Sequence, residues 1–169
     1  MAELSLWLDS YDDIYSDFDS RHYLKRRISE DYIDELRMSL KYRTDKPDRL
    51  LLLLPAQLRN AEIEKEILSS IKEQLKDRLQ ISDEKRKRTW LQGLKLLITG
   101  MILMAADAFI VYKATYLNTL LKVILEPASW FTIWTGLDVL IYDYRKVKTE
   151  TDFYEGLHQL HIHFKDIIA

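Results

Sequence analysis

Charged side chains stand within an apolar stretch of the chain, among them Asp107, Lys122, Glu126 and Asp138. A charge in hydrocarbon costs about 2.5–3.5 kcal/mol on insertion scales, so such groups are expected to face protein, water or a basic partner. Lys122 lies one helical turn before Glu126, within reach of an ion pair. Two readings follow. Asp107 and Glu126 line a hydrated path or hold an oligomer together by interhelical hydrogen bonds; alternatively they lie near the outer surface of a membrane, with Asp138 near the inner one. In the second reading Glu126-Pro127 starts a helix, with proline at its first position. A final span would then run over 127–144, leaving 117–125 interfacial or re-entrant.

Two further clusters have metal-binding residue types. His161 and His163 would share one face of a strand, with His158 just before them, and paired imidazoles can hold zinc or a proton. No third ligand is signalled nearby, so surface histidines are the simpler reading. The acidic run Asp9, Asp12, Asp13, Asp17 and Asp19 lacks the spacing, turn glycine and terminal glutamate of a calcium loop. Helix-start charges, or pairing with Arg21, Lys25, Arg26 and Arg27, account for it. No metal or cofactor is expected. There is no P-loop, no G-x-S-x-G, no H-E-x-x-H and no dinucleotide fingerprint, so no catalytic residue is assigned and the chain does not read as an enzyme.

The elements that must position these residues fall into two classes. From about Gly93 to Tyr142 the chain is dominated by Leu, Ile, Val, Phe, Trp and Ala. A spanning helix needs roughly 20 mostly apolar residues, so this stretch has room for two. The expected spans are 93–112 and 120–142, joined by the short polar segment KATYLNT. Lys85, Arg86, Lys87 and Arg88 precede the first span, and Arg145, Lys146 and Lys148 follow the second; the linking turn offers Lys113 alone. Positive residues stay on the cytoplasmic side, which puts both termini in the cytoplasm. The basic residues are read as headgroup and topology anchors. Trp90, Tyr112, Tyr116, Tyr142 and Tyr144 lie near the expected ends, where aromatic side chains favour the interface.

The remainder reads as a small cytosolic, mostly helical α/β domain: residues 1–88, with 145–169 as a tail packing on it. Ser10 is placed to cap a short helix, and Ser29 a longer one through SEDYIDELRMSLKYR, with acids in its first turn and cations near its end. Asp45-Lys46-Pro47 breaks the chain before RLLLLLP, which contains a buried strand over 50–54. Asn60 then caps an amphipathic helix carrying Ile63, Ile67, Leu68, Ile71, Leu75 and Leu79 at helical spacing, with Ser82-Asp83 as its weak break. Thr149 or Thr151 starts a helix through FYEGLHQL, and HIHF forms a last strand pairing with 50–54.

Composition narrows the partners. The formal net charge of -2 gives no general basic field for nucleic acid. With no cysteine, disulfides, thiolate nucleophiles and cysteine metal sites are excluded. MAELSLWLDSYDD is acidic and has none of the pattern of a secretory signal.

The segments YDDIYSDFDSRHYLKRRISEDYIDEL and ILEPASWFTIWTGLD resemble a family of small, uncharacterised two-span bacterial and archaeal membrane proteins. The resemblance covers most of the chain and departs at Ser20 and Ser129, where similar members carry proline and glycine. It implies a prokaryotic inner membrane and no substrate, cofactor or catalytic residue. The expected architecture is therefore a two-helix transmembrane hairpin with a cytosolic domain. The expected function is a homo-oligomeric, non-enzymatic module that couples a cytosolic partner or signal to the lipid bilayer. A small ion channel or membrane-disrupting pore is the alternative, and an enzyme of unrecognised type comes third.

Overall fold

The structure, a computed structural model, describes residues 3–42, 45, 47–110 and 115–167, without the side chain of Ile110. Arg43, Lys46, Tyr112 and Lys113 lie outside the described residues, and of the expected turn KATYLNT the described part does not turn: Thr115 precedes, and 116–119 begin, the helix Tyr116–Asp138. The chain forms two compact units, Met1–Gln80 with Phe153–Ala169, and Ile81–Asp152.

The first unit is organised by the strand Arg49–Leu54 (β2). Its leucines alternate, with Leu50, Leu52 and Leu54 buried and Leu51 and Leu53 half-buried, as the two-residue period of a strand requires. Glu3–Trp7 (β1) and His161–Asp166 (β3) pair with it in parallel on either side. Parallel neighbours need a crossover, and the helix Glu30–Lys41 (α1) supplies it between β1 and β2. Ser29 caps α1 by accepting from Tyr32 N at 3.0 Å, freeing Tyr32, Ile33 and Leu36 to line the core.

The long helix Ala61–Ile110 (α2) starts at Asn60, whose Oδ1 accepts from Glu62 N at 3.0 Å and Ile63 N at 3.3 Å. Its Ile67, Ile71 and Leu75 join Leu4, Leu50, Leu52, Leu54 and Ile162 in one core with α1. The helix Tyr144–Gln159 (α4) adds Tyr154 and Leu157. The helices thus cover one face of the sheet. The other face carries Ser5, Trp7, Leu51, Leu53, His161 and His163, and Trp7 is 69 % exposed.

The second unit contains the rest of α2, the helix Tyr116–Asp138 (α3), a π-helical turn Val139–Asp143 and the start of α4. The helices α2 and α3 meet along small residues. A Cβ added at Gly100 would stand 2.9 Å from Ile133 N, and one at Gly136 would stand 2.8 Å from Leu97 N. A Cβ at Gly93 would meet the Leu140 side chain at 2.6 Å. Buried Ser129 and Gly136 face this seam from α3. Only with side chains this small can two helix backbones approach so closely.

This architecture corrects the expected two-helix transmembrane hairpin. Among the described residues one helix, α2, is long and apolar enough to cross a membrane. The expected span over 93–112 is no separate element but the last part of a 50-residue helix that begins in the first unit. Ser82 fails to break it because its hydroxyl is bonded to that of Thr151 at 2.9 Å. The expected second span is α3, where Lys122, Glu126, Pro127 and Asp138 dilute the apolar content. The molecule is mostly helical with a small three-stranded sheet.

Smaller expectations also shift. Pro127 lies inside α3 and does not start a helix. Thr149 and Thr151 do not start one either: each hydroxyl donates to the carbonyl four residues back, Arg145 and Val147, at 3.0 Å, within a helix already running. The pairing of HIHF with β2 is present, in the register Leu50↔Ile162 and Leu52↔Phe164.

Candidate functional site

The basic residues of the second unit come from two helices. Arg86, Lys87, Trp90 and Leu91 on α2, with Tyr144 and Lys148 on α4, line an open groove of about 640 Å3. Helical periodicity explains the grouping: 86, 87, 90 and 91 share one face of α2, and 144 and 148 are one turn apart. Asp83 anchors the rim, bonding Lys87 Nζ at 2.7 Å and pairing with Arg86. The Lys87 ammonium, with Arg86 beside it, holds the Asp83 carboxyl below the usual aspartate range. Lys85 pairs with Glu150 at 3.6 Å, and Arg88 with Glu84 at 3.7 Å. Arg145, Lys146 and Lys148 are exposed and make no ion pair among the described residues. The structure therefore brings Arg86, Lys87 and Lys148 together, while Lys85, Arg88, Arg145 and Lys146 lie outside the groove lining. A second groove, of about 450 Å3, runs along α2 past Arg88, Leu91, Gln92, Lys95 and Leu96.

The embedded acids are not brought into one site. Asp107 is half-buried on α2, and its Oδ1 is buried with no hydrogen-bond partner among the described residues. Glu126 and Asp138 are exposed on α3, and Lys122 is half-buried. No ion pair joins Lys122 to Glu126 among the described residues.

His158 is exposed on α4, and His161 and His163 are exposed on one face of β3. Their register partners on β2 are Arg49 and Leu51, a guanidinium and an alkyl group, neither of which ligates a metal. Among the described residues no three His, Cys, Asp or Glu are grouped to hold a metal ion. The acidic run is divided among structural roles. Asp13 Oδ2 accepts from Asp9 N and Ser10 N in a capping box, Asp12 pairs with Arg26, and Asp19 pairs with Arg21 and accepts from Arg27 N. Asp9 and Asp17 are exposed.

One cluster was not legible in the sequence. Arg59 grips Glu64 in two bonds of 2.8 Å and reaches Asp166 Oδ1 at 2.8 Å, at the carboxyl ends of β2 and β3. Tyr11 donates to Glu64 Oε1 at 3.1 Å and accepts from Asn60 N at 2.8 Å. Its members are spread from residue 11 to 166, and no local spacing announces them. The Arg59 hydrogen bonds hold the Glu64 carboxyl below the usual glutamate range despite burial, which pushes the other way. A depressed carboxyl stabilises the fold fully above about pH 4.3 and loses that contribution as pH falls through its folded value. Glu64→Gln is therefore expected to lower stability at pH 7 by about 1–3 kcal/mol. Urea unfolding midpoints of variant and wild type should converge toward pH 3; a constant gap across that range would rule out the charged pair as the cause.

No family model matches the chain, and no curated protein or solved structure is significantly similar to it.

Proposed function

We propose that the protein is a non-enzymatic, membrane-associated module that self-associates and couples a cytosolic partner or signal to a lipid bilayer, in a prokaryotic inner membrane with both termini cytoplasmic. The observation that carries this reading is the apolar exterior of the second unit. The apolar stretch of α2 is only 11 % buried, whereas the core helix of a water-soluble protein is mostly buried. Ile102 is 63 % exposed, Phe109 81 %, and Phe131 on α3 74 %. Leu120, Val123, Ile124, Trp130 and Trp134 extend that surface. So many large apolar side chains exposed along two helices call for lipid or protein to cover them. Support for a shared compartment of the two described ends comes from the sheet, where β1 and β3 flank the same strand. The open sheet face bearing Trp7, Leu51 and Leu53 is the natural place for the cytosolic partner, because parallel sheets are ordinarily covered on both faces.

Membrane fractionation with alkaline carbonate extraction tests the reading. The full chain is expected to stay in the membrane pellet and to need detergent for release. A monomer released by carbonate into the supernatant would overturn it.

A second reading, a small channel or membrane-disrupting pore, is favoured by one observation: the buried oxygen of Asp107, which has no hydrogen-bond partner among the described residues. A carboxylate is tolerated in an apolar stretch where water or an ion reaches it. Under that reading Asp107→Asn changes single-channel conductance in planar bilayers at unchanged protein incorporation. Unaltered conductance would remove Asp107 from any pore lining.

A further inference from the structure

The groove between α2 and α4 has the chemistry of a specific ligand site. Three cations, Arg86, Lys87 and Lys148, converge on it, and among the described residues only Asp83 is bonded to any of them. Its remaining walls are Trp90, Leu91 and Tyr144. Beyond Leu91, Gln92 and Lys95 on α2 the chain becomes apolar, and before Tyr144 lie exposed Ile141, Tyr142 and Asp143. The groove therefore presents cations on one side, amphipathic aromatics at its centre and alkyl side chains on the other. A free phosphate would use the first of these and leave the rest idle. A phospholipid has the same order of groups: an anionic phosphate, then a glycerol ester region, then acyl chains. Trp and Tyr favour that middle depth of a bilayer, and Arg and Lys favour the phosphate.

We propose that this groove binds one anionic phospholipid, with its headgroup phosphate held by Arg86, Lys87 and Lys148 and its glycerol region against Trp90 and Tyr144. The inference rests on the membrane reading above and deepens it by naming the lipid class. Lys148 is the decisive contact, because Arg86 and Lys87 already share Asp83. The π-helical turn Val139–Asp143 immediately precedes Tyr144 and shifts the helical phase at which Tyr144 and Lys148 follow α3. Turns of this kind recur at functional sites in helices.

The test is native mass spectrometry of the full chain in detergent, titrated with phosphatidylglycerol and, separately, with phosphatidylcholine. Wild type is expected to retain one phosphatidylglycerol at several-fold lower concentration than phosphatidylcholine. Lys148→Gln should weaken phosphatidylglycerol retention about fivefold, the effect of one cation near an anionic lipid surface. Lys148→Glu should weaken it further. Lys72→Glu, an exposed substitution in the first unit, makes the same change in net charge as Lys148→Glu and should leave the preference intact. An equal loss in Lys72→Glu would overturn the site in favour of diffuse charge attraction. Displacement of the lipid by millimolar inorganic phosphate, or by a short single-stranded DNA at lipid-like concentration, would overturn the lipid assignment. Circular dichroism of each variant checks folding, and Lys148→Gln, which removes the positive charge without adding a negative one, carries the test if Lys148→Glu fails to fold. Should the protein resist carbonate extraction yet show no phosphatidylglycerol preference, this inference fails and the membrane reading stands. Release by carbonate removes the membrane reading itself.

Discussion

Gly136→Ala is expected to destabilise the second unit by about 2 kcal/mol or more, the usual cost of forcing volume into a packed site. The added methyl would stand 2.8 Å from Leu97 N and 3.1 Å from Gly93 O, both backbone atoms that no rotamer change can move aside. Relief requires α2 and α3 to separate, and separation opens the contacts of Gly100 with Ile133 and Ser129 at the same time. Leucine at position 136 should therefore prevent the helix pair from forming. The comparison that isolates the cause is Gly156→Ala on α4, where an added Cβ would meet nothing within 4 Å. There alanine simply improves helix propensity, by about 1 kcal/mol. Thermal unfolding in detergent, followed by helical circular dichroism, should show the two alanines moving the midpoint in opposite directions. The drop for Gly136→Ala should be roughly 4–12 °C for a chain of this length. Two upward shifts would mean that the helices do not meet on these glycines.

How much of this was legible in the sequence depended on whether the signal was local. Ser10, Ser29 and Asn60 cap helices because their side chains reach backbone N–H groups two or three residues on, which spacing alone reveals. The leucines of β2 and the helical repeat of Ile67, Ile71 and Leu75 announce their buried faces in the same way. Contacts made across the fold left no such trace. β1 is a five-residue strand with a serine at its centre, and its partner lies 46 residues away in register. The Arg59–Glu64–Asp166 cluster joins residues up to 107 apart. The glycines of the seam stood in plain view, Gly93 and Gly100 seven apart on α2, Ser129 and Gly136 seven apart on α3. Seven residues make nearly two turns, so each pair shares a face. Composition alone suggested two equivalent spans, but apolarity does not mark where a helix begins. That boundary was set by Asn60, 33 residues before the expected start at Gly93, because nothing between them breaks the helix. For the site, the basic clusters and aromatics were each visible, while their meeting in one groove required α4 to lie beside α2.

Ile102→Asp is expected to abolish retention of the protein in carbonate-washed membranes, and the size of the effect separates lipid from water as the medium around α2. Ile102 is 63 % exposed on the apolar stretch. In water, replacing an exposed isoleucine by aspartate changes stability by within about 0.5 kcal/mol. In hydrocarbon the same exchange gives up a favourable side chain for a charged one, roughly 3–4 kcal/mol on insertion scales near the bilayer centre. That difference corresponds to a shift of about 150- to 900-fold in membrane partition. Trp7→Asp, on the exposed outer face of β1, supplies the contrast: it loses an even larger apolar group but lies in the first unit, and retention should be unchanged. If both variants remain in the pellet as wild type does, the apolar surface of α2 does not meet lipid at Ile102. Chemical cross-linking of Ile102→Asp then asks whether a second copy covers it, since a charge placed in a protein interface would leave the chain monomeric. Loss of retention in Ile102→Asp alone ties membrane association to α2, the one helix among the described residues long and apolar enough to cross a membrane.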